Sequence, residues 1–158
     1  QSYTFIETIR KKIPTIALRT SLIVGFPGET KKEFNELVAF VKDVQFDRLG
    51  VFTYSKEEGT AAAQLKDSVS EKTKMQRKEE LMSIQQEISL QLNVQRIGQT
   101  LQVLIDRKEG DYYVGRSEYD SPEVDNEVLI KASKLNIGNF YDVKITDAEE
   151  FDLYGRLL

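Results

Sequence analysis

Hydrophobic residues follow three different spacings along the 158-residue chain, and each spacing predicts a different kind of element. In residues 1–67, continuous apolar runs alternate with stretches of helical spacing, which is typical of β-strands joined by α-helices. In residues 68–95, apolar residues recur at every third or fourth position, as on one face of a long helix. From residue 96 onward they alternate with polar residues, which indicates short β-strands. The pattern therefore predicts an α/β segment, a linking helix and an all-β segment.

The α/β segment contains one complete strand–helix–strand unit. Apolar residues over Ile16–Val24 predict a buried strand, and Pro27-Gly28 predicts the turn after it. Thr30 and Glu33 have the spacing of a capping box, so a helix is expected to begin there. A second strand is predicted from Phe46 or Asp47 to Tyr54, parallel to the first. Two parallel strands need further strands beside them, so this segment is expected to be the remnant of a larger α/β domain.

The rest of the chain is predicted to form one helix and a small barrel. Ser68 and Glu71 have the spacing of a second capping box. The helix after it has a predicted apolar stripe of Leu81, Ile84, Ile88 and Leu92, with Lys, Gln and Glu on the opposite, solvated face. Five short alternating segments follow, beginning near residues 101, 112, 128, 141 and 152. Five strands of this kind predict a closed, five-stranded antiparallel β-barrel.

Composition limits the chemistry available to this chain. It has neither Cys nor His, so disulfides, thiolate or imidazole metal sites and triads based on His are excluded. No apolar run is long enough to span a membrane. The formal charge is uneven: residues 1–95 carry 14 Lys and Arg against 13 Asp and Glu, a net of +1, whereas residues 96–158 carry 8 against 13, a net of −5. The acidity therefore belongs to the predicted barrel.

Three segments resemble the radical S-adenosylmethionine (SAM) methylthiotransferases: residues 19–30 (RTSLIVGFPGET), 47–60 (DRLGVFTYSKEEGT) and 115–127 (GRSEYDSPEVDNE). They are most similar to the branch that modifies an aspartate of small-subunit ribosomal protein twelve. The resemblance covers essentially the whole chain. It implies a βαβ remnant of a radical SAM partial TIM barrel at 1–67, a linking helix at 68–95 and a TRAM β-barrel at 96–158.

The resemblance also implies the cofactors of the parent enzyme, which are SAM and two 4Fe-4S clusters. Such enzymes hold the cluster that cleaves SAM with a Cys-x-x-x-Cys-x-x-Cys motif, and three further Cys lie in an N-terminal domain. This chain has no Cys. Truncation accounts for the missing Cys and the missing strands together. We therefore expect a fragment that is inactive alone, contains no catalytic residue and binds no cluster.

Candidate site residues follow from the same resemblance. Residues on or after the two strands are predicted to line the SAM pocket, and core packing is the alternative for two of them, Ile23 and Phe52. The predicted set is Thr20, Ser21, Ile23, Gly25, Phe52 and Tyr54. Glu57 and Glu58, which lie where tRNA-modifying relatives tend to carry Arg-Pro, are predicted to face the substrate; a solvated charged loop is the alternative.

The acidic barrel is expected to bind a basic ribosomal protein, or the small subunit that contains it. A second set of substrate-facing residues is therefore predicted in the loop after residue 116, namely Asp120, Glu123 and Asp125. An RNA-binding TRAM module, or a fragment of a tRNA-modifying enzyme, is the alternative, with Arg107, Lys108 and Arg116 as a possible basic patch. An inactive structural fragment fits either parent. A cytoplasmic location and no membrane partner are expected.

Overall fold

The computed structural model describes residues 2–122 and 125–158, so Glu123 lies outside the described residues. Its residues group into two units, Gln1–Ile88 and Ser89–Leu158. The division falls inside the long helix Glu71–Val94. The predicted boundaries after residues 67 and 95 follow changes in hydrophobic spacing and not contacts, and they stay a prediction. No helix among the described residues is long and apolar enough to cross a membrane.

Among the described residues, the first unit contains two whole α-helices, most of a third and two parallel strands. Its elements are α1 (Ser2–Lys12), β1 (Arg19–Val24), α2 (Lys31–Val44), β2 (Arg48–Thr53), a short 3-10 helix (Ala61–Gln64) and α3 (Glu71–Val94). β1 and β2 pair in parallel from Arg19 opposite Arg48 to Val24 opposite Thr53. The predicted strand–helix–strand unit is therefore present, with the first strand beginning three residues later than expected.

The capping box predicted for α2 is confirmed. The Glu33 backbone N–H donates to Thr30 Oγ1 at 3.2 Å, and the Thr30 backbone N–H donates to Glu33 Oε2 at 2.7 Å. Two backbone donors at the helix start are satisfied in this way. The helix buries Phe34, Val41 and Val44, so its predicted apolar face packs in the core.

The capping residue predicted for α3, Ser68, lies two residues before the observed one. The helix begins at Glu71, and Ser70 Oγ accepts the Thr73 backbone N–H at 3.2 Å, which makes Ser70 the N-cap. Ser68 Oγ instead accepts the Gly28 backbone N–H at 3.2 Å. The Ser-x-x-Glu spacing does not show that Ser68 is already hydrogen-bonded to Gly28, which leaves Ser70 to cap the helix.

The apolar stripe predicted for α3 is partly wrong, because polar residues share the buried face with Leu81 and Ile88. Leu81 and Ile88 are buried as expected, but Ile84 and Leu92 are only half-buried. Lys74, Arg77 and Gln85 are buried in the first unit. Gln85 Nε2 donates to the Phe46 carbonyl oxygen at 2.8 Å, so its burial is compensated by a hydrogen bond.

The second unit contains a closed five-stranded barrel. Its strands are β3 (Thr100–Glu109), β4 (Tyr112–Arg116), β5 (Glu127–Lys131), β6 (Phe140–Ala148) and β7 (Asp152–Leu157). Their order around the barrel is β3-β4-β5-β7-β6, and β6 pairs with β3 to close it. Alternate residues of these strands form the core: Leu101, Val103, Ile105, Tyr113, Val128, Ile130, Val143, Ile145 and Leu153.

The prediction of a wholly antiparallel barrel is wrong, because β5 and β7 pair in parallel. The chain leaves β5 and crosses to the far side of β3, where β6 pairs antiparallel. β7 then returns antiparallel to β6 and occupies the gap beside β5. Alternation of apolar and polar residues shows which side chains face inward but not which strands are neighbours.

Candidate cofactor and partner sites

One face of the β1–β2 pair carries an exposed apolar surface. Ile23 lies opposite Phe52, and Ser21 lies opposite Gly50. Because registered residues of parallel strands point to the same side, these four positions share one face. The side chains of Ile23 and Phe52 are 59% and 58% exposed in the described chain. This face combines an aliphatic side chain, an aromatic ring and a hydroxyl, which suits contact with a nucleoside.

The other predicted cofactor residues do not lie on that face. Thr20 alternates to the opposite side of β1 and is half-buried. The Tyr54 ring is buried and packs edge-on against Phe26, with ring centroids 5.3 Å apart. The Gly25 backbone N–H donates to Glu29 Oε2 at 3.0 Å. Of the six predicted residues, the structure brings together Ser21, Ile23 and Phe52 on one exposed surface.

A partly buried ion pair holds the turn that follows β1. Arg77 Nη1 donates to Glu29 Oε1 at 2.5 Å and to the Glu29 carbonyl oxygen at 3.2 Å. The other carboxylate oxygen of Glu29 accepts the Gly25 N–H. The Arg77 guanidinium also lies 5.2 Å from the centre of the Phe34 ring. α3 is therefore tied to the backbone at the end of β1 through one carboxylate.

Lys74, like Arg77, is a buried polar residue of this region that the sequence did not predict. It is 1% exposed, and its Nζ donates to Asp67 Oδ2 and Glu71 Oε1, each at 2.7 Å, and to the Tyr54 carbonyl oxygen at 3.4 Å. Hydrogen bonds to Asp67 and Glu71 raise the pKa of the Lys74 ammonium, and the bond from Lys74 lowers the pKa of the Asp67 carboxyl. A signal was available, since Lys74 lies seven residues before the buried Leu81 and therefore on the same helix face.

The remaining predicted substrate residues lie on loops. Glu57 and Glu58 are exposed, and Glu57 Oε1 accepts the Ser55 hydroxyl at 3.3 Å. In the barrel, Asp120 Oδ2 accepts the Ser117 hydroxyl at 2.6 Å, and Asp125 Oδ2 accepts the Ser121 backbone N–H at 2.7 Å. The third predicted loop residue, Glu123, is outside the described residues. Asp120 and Asp125 thus organise the loop as well as giving it charge.

The donor set of this chain does not fit an iron–sulfur cluster. Such clusters are held by Cys thiolates, with His in some centres, and the sequence contains neither residue. Across residues 2–122 and 125–158, no group of three or more acidic side chains is placed to hold a metal ion. The residues of this chain therefore supply no Cys or His ligand to an iron–sulfur cluster.

Comparison with known proteins gives two kinds of match, one to a domain family and one to whole proteins. Residues 97–158 match the TRAM domain family. The whole chain is 56% identical to the ribosomal protein uS12 methylthiotransferase RimO of Phocaeicola vulgatus, spanning 37% of that protein. RimO of Bacteroides thetaiotaomicron is 55% identical over 99% of the chain, and RimO of Christiangramia forsetii is 54% identical over 97% of it. The chain spans just over a third of the length of these relatives. The chain is therefore similar over nearly its whole length to part of the ribosomal protein uS12 methylthiotransferases, and its residues 97–158 match the TRAM domain family.

Proposed function

We propose that this chain is the C-terminal part of an enzyme that methylthiolates an aspartate of ribosomal protein uS12. The observation that carries the proposal is the identity of 54–56% to proteins of that name along nearly the entire chain. The absence of cluster ligands gives the chain a supporting role: it completes the pocket for SAM and binds the partner, and it does no chemistry alone.

The parent enzyme is proposed to use SAM and two 4Fe-4S clusters. When bound, these groups supply a one-electron cleavage of SAM and the radical that follows from it. This chain's contribution is the exposed face of β1 and β2, where Phe52 and Ile23 would pack against SAM and the Ser21 hydroxyl would donate a hydrogen bond. Thr20, Gly25 and Tyr54 would support that face from behind and from the strand ends.

The partner of the barrel is proposed to be a basic ribosomal protein, free or in the small subunit. The net charge of −5 over residues 96–158 supports a basic partner and disfavours RNA, whose phosphates it repels. Glu57 and Glu58 in the first unit, with Asp120, Glu123 and Asp125 in the second, are the proposed contact carboxylates. An enzyme with this substrate works in the cytoplasm, where ribosomes are.

A chimera tests the proposed function. In the Phocaeicola vulgatus relative, the aligned segment is replaced by this chain, and ribosomal protein uS12 is examined by mass spectrometry for an added methylthio group. We expect modification to persist. A folded chimera with intact clusters and no modification would overturn the proposal.

Two variants of the chimera test the SAM-binding face. Phe52→Ala is expected to weaken SAM binding, measured by calorimetry, because it removes the aromatic surface. Phe151→Ala is the matched control, since Phe151 is an aromatic residue of the second unit with 54% exposure. Equal SAM affinity in the two variants would contradict the role of Phe52.

A further inference from the structure

A guanidinium group of α3 is partly buried against the turn that follows β1. The side chains of Arg77 and Glu29 are 11% and 12% exposed, and Arg77 Nη1 lies 2.5 Å from Glu29 Oε1. Taking two charges out of water offsets much of their attraction, so such a pair is a weak source of net stability. Removing one partner alone leaves the other charge buried and unpaired. The role of this pair is therefore better sought in the backbone conformation that it fixes.

Glu29 connects both ends of the turn over residues 25–29. Its Oε2 accepts the Gly25 backbone N–H at 3.0 Å, and its own backbone N–H donates to the Phe26 carbonyl oxygen at 2.9 Å. Arg77 then binds Glu29 at two points, the carboxylate Oε1 and the backbone carbonyl oxygen. The turn is thus closed by its own hydrogen bonds and attached to α3 by one guanidinium group.

This turn adjoins the face of β1 and β2 that is proposed to bind SAM. β1 ends at Val24, and Ile23 of that face lies two residues before Gly25. In parallel sheets, ligands bind at the carboxyl ends of the strands, which is where this turn lies. Phe26 of the turn is 44% exposed, and its ring packs against the Tyr54 ring with centroids 5.3 Å apart. The conformation of the turn therefore also sets the position of an aromatic side chain at this end of the sheet.

We propose that Arg77 is a positioning residue for SAM binding. It acts through Glu29, whose carboxylate and carbonyl oxygen hold the turn at the end of β1, and not on the cofactor itself. The inference rests on the proposed function, because that function supplies the cofactor, and it adds a residue of α3 that the proposed set of cofactor residues lacks. A face that is fixed before the cofactor arrives binds it more tightly, since less conformational freedom is lost on binding.

The SAM affinity of the chimera described above tests this role by calorimetry. Arg77→Gln is expected to raise the SAM dissociation constant at least about fivefold, since a charge-assisted hydrogen bond to the turn is lost. Arg10→Gln is the matched control, because Arg10 also donates to backbone carbonyl oxygens of the first unit, those of Val44 and Gln45 at 2.5 and 3.0 Å, but at the end of α2. It is expected to change the dissociation constant less than about twofold. Equal weakening by the two variants would overturn the proposal.

A double-mutant cycle with Glu29→Gln tests whether Arg77 acts through Glu29. If it does, the doubly substituted chimera should bind SAM no more weakly than the weaker of the two single variants, because both substitutions break the same contact. Losses of affinity that add would contradict action through Glu29 and overturn the proposal. If Arg77→Gln does not fold, Arg77→Lys, which keeps the charge but shortens the side chain, is compared with Arg10→Lys by the same criterion.

Hydrogen exchange measured by mass spectrometry gives a readout that does not depend on SAM. Because Arg77 holds Glu29 and Glu29 accepts the Gly25 N–H, Arg77→Gln is expected to speed exchange in peptides that cover residues 22–29 of the chimera. Arg10→Gln is expected to leave the exchange of those peptides unchanged. Equal exchange in the two variants would overturn the proposal, because the turn would then be held without Arg77.

The outcomes also separate this inference from the proposed function. Methylthiolation by the chimera with equal SAM affinity in Arg77→Gln and Arg10→Gln would overturn the positioning role alone. SAM binding that Arg77→Gln weakens, in a chimera that leaves ribosomal protein uS12 unmodified, would overturn the methylthiotransferase assignment and leave the positioning role standing. A chimera with the unmodified chain that binds no SAM would overturn both.

Discussion

Gly25 is a single residue on which two constraints act at once. Its φ is +75°, in the left-handed region, and a Cβ placed there would lie 2.3 Å from Lys74 Cγ. Only glycine satisfies both the backbone conformation and the close approach of a buried lysine stem. The turn after β1 and the position of α3 therefore depend on each other through this residue.

Substitution of this glycine tests the close approach. Gly25→Ala is expected to lower the free energy of unfolding by about 1–3 kcal/mol more than Gly28→Ala does. Gly28 is the matched control, because its φ is +90° but nothing lies within 4 Å of a Cβ there. Both variants carry the backbone strain of about 1–2 kcal/mol, and only Gly25→Ala adds the collision with Lys74. Denaturant unfolding of the full chain measures the difference; equal losses would contradict the packing described.

Lys74 gives a second prediction for a single residue. Lys74→Met keeps the stem but removes the donor to Asp67, Glu71 and the Tyr54 carbonyl, so unfolding free energy should fall by about 1–3 kcal/mol. The exposed Lys72→Met on the same helix should change it little. In the unmodified chain, the lowered pKa of Asp67 adds stability at neutral pH that is lost as pH falls through its folded-state pKa. That acid-induced loss should shrink in Lys74→Met and persist in Lys72→Met.

The site residues show how far sequence could identify individual roles. The prediction that β1 is a buried strand is wrong, because its residues alternate between exposed and less exposed positions and only Val24 is fully buried; this alternation places Ser21 and Ile23 on one exposed face and Thr20 on the other. Nothing in the sequence pairs Glu29 with Arg77, because the two are 48 positions apart and meet only after α3 packs on the turn.

At the scale of elements, local sequence signals predicted the type of each helix or strand and where it begins. They predicted less well which elements contact each other. The Thr30 capping box was confirmed because every group it needs lies within four residues. The α3 box was misplaced because Ser68 bonds to Gly28, forty positions away. The parallel pairing of β5 with β7 was missed because strand order depends on closing the barrel, which no single strand encodes. The predictions are therefore wrong where a contact between distant residues decides between two arrangements that the local sequence favours equally.

The N-cap of α2 at Thr30 allows a prediction about the stability of that helix. Thr30→Ala removes the acceptor for the Glu33 backbone N–H and should cost about 1 kcal/mol of unfolding free energy. The bond that Glu33 accepts from the Thr30 backbone N–H lowers the pKa of its carboxyl, so this part of the stability is lost as pH falls through that lowered pKa. Thr8→Ala, in the interior of α1, is the control and should cost nothing, because Ala is the better helix former. Thermal or denaturant unfolding that ranks the two variants equally would contradict the capping role.

At the scale of the whole molecule, the two units differ in surface character: one carries an exposed apolar face and the other carries the net negative charge. The first unit presents an apolar strand face and a nearly neutral charge, whereas residues 96–158 carry a net of −5. Charges of one sign spread over a small barrel act mainly on association rate and choice of partner. The barrel's closed sheet leaves no long free strand edge to provide a partner site among its five strands. The proposed partner would therefore contact side chains and loops of the barrel.

The loop carboxylates give the prediction for the molecule as a whole. Replacing Asp120, Glu123 and Asp125 with Asn, Gln and Asn should slow association with ribosomal protein uS12, because steering by opposite charge is lost. The association rate of the unmodified chain should fall with added salt, since such fields are screened over about 8 Å at physiological ionic strength. Stopped-flow or surface measurements against the ribosomal protein, and against tRNA, check both statements. Binding of tRNA should rise slightly in the variant because repulsion is reduced.

A second triple variant separates the loop's charge from the net charge of the barrel. Asp111→Asn, Asp142→Asn and Glu149→Gln remove three carboxylates at exposed positions elsewhere in the same unit. If the loop is the contact surface, its variant slows association more than this control, and the gap narrows as salt screens the field. Equal slowing would assign the effect to overall charge, and unchanged rates in both would contradict electrostatic recognition. Because Asp120 and Asp125 also bond within the loop, circular dichroism and the melting temperature must match between the variants before the rates are compared.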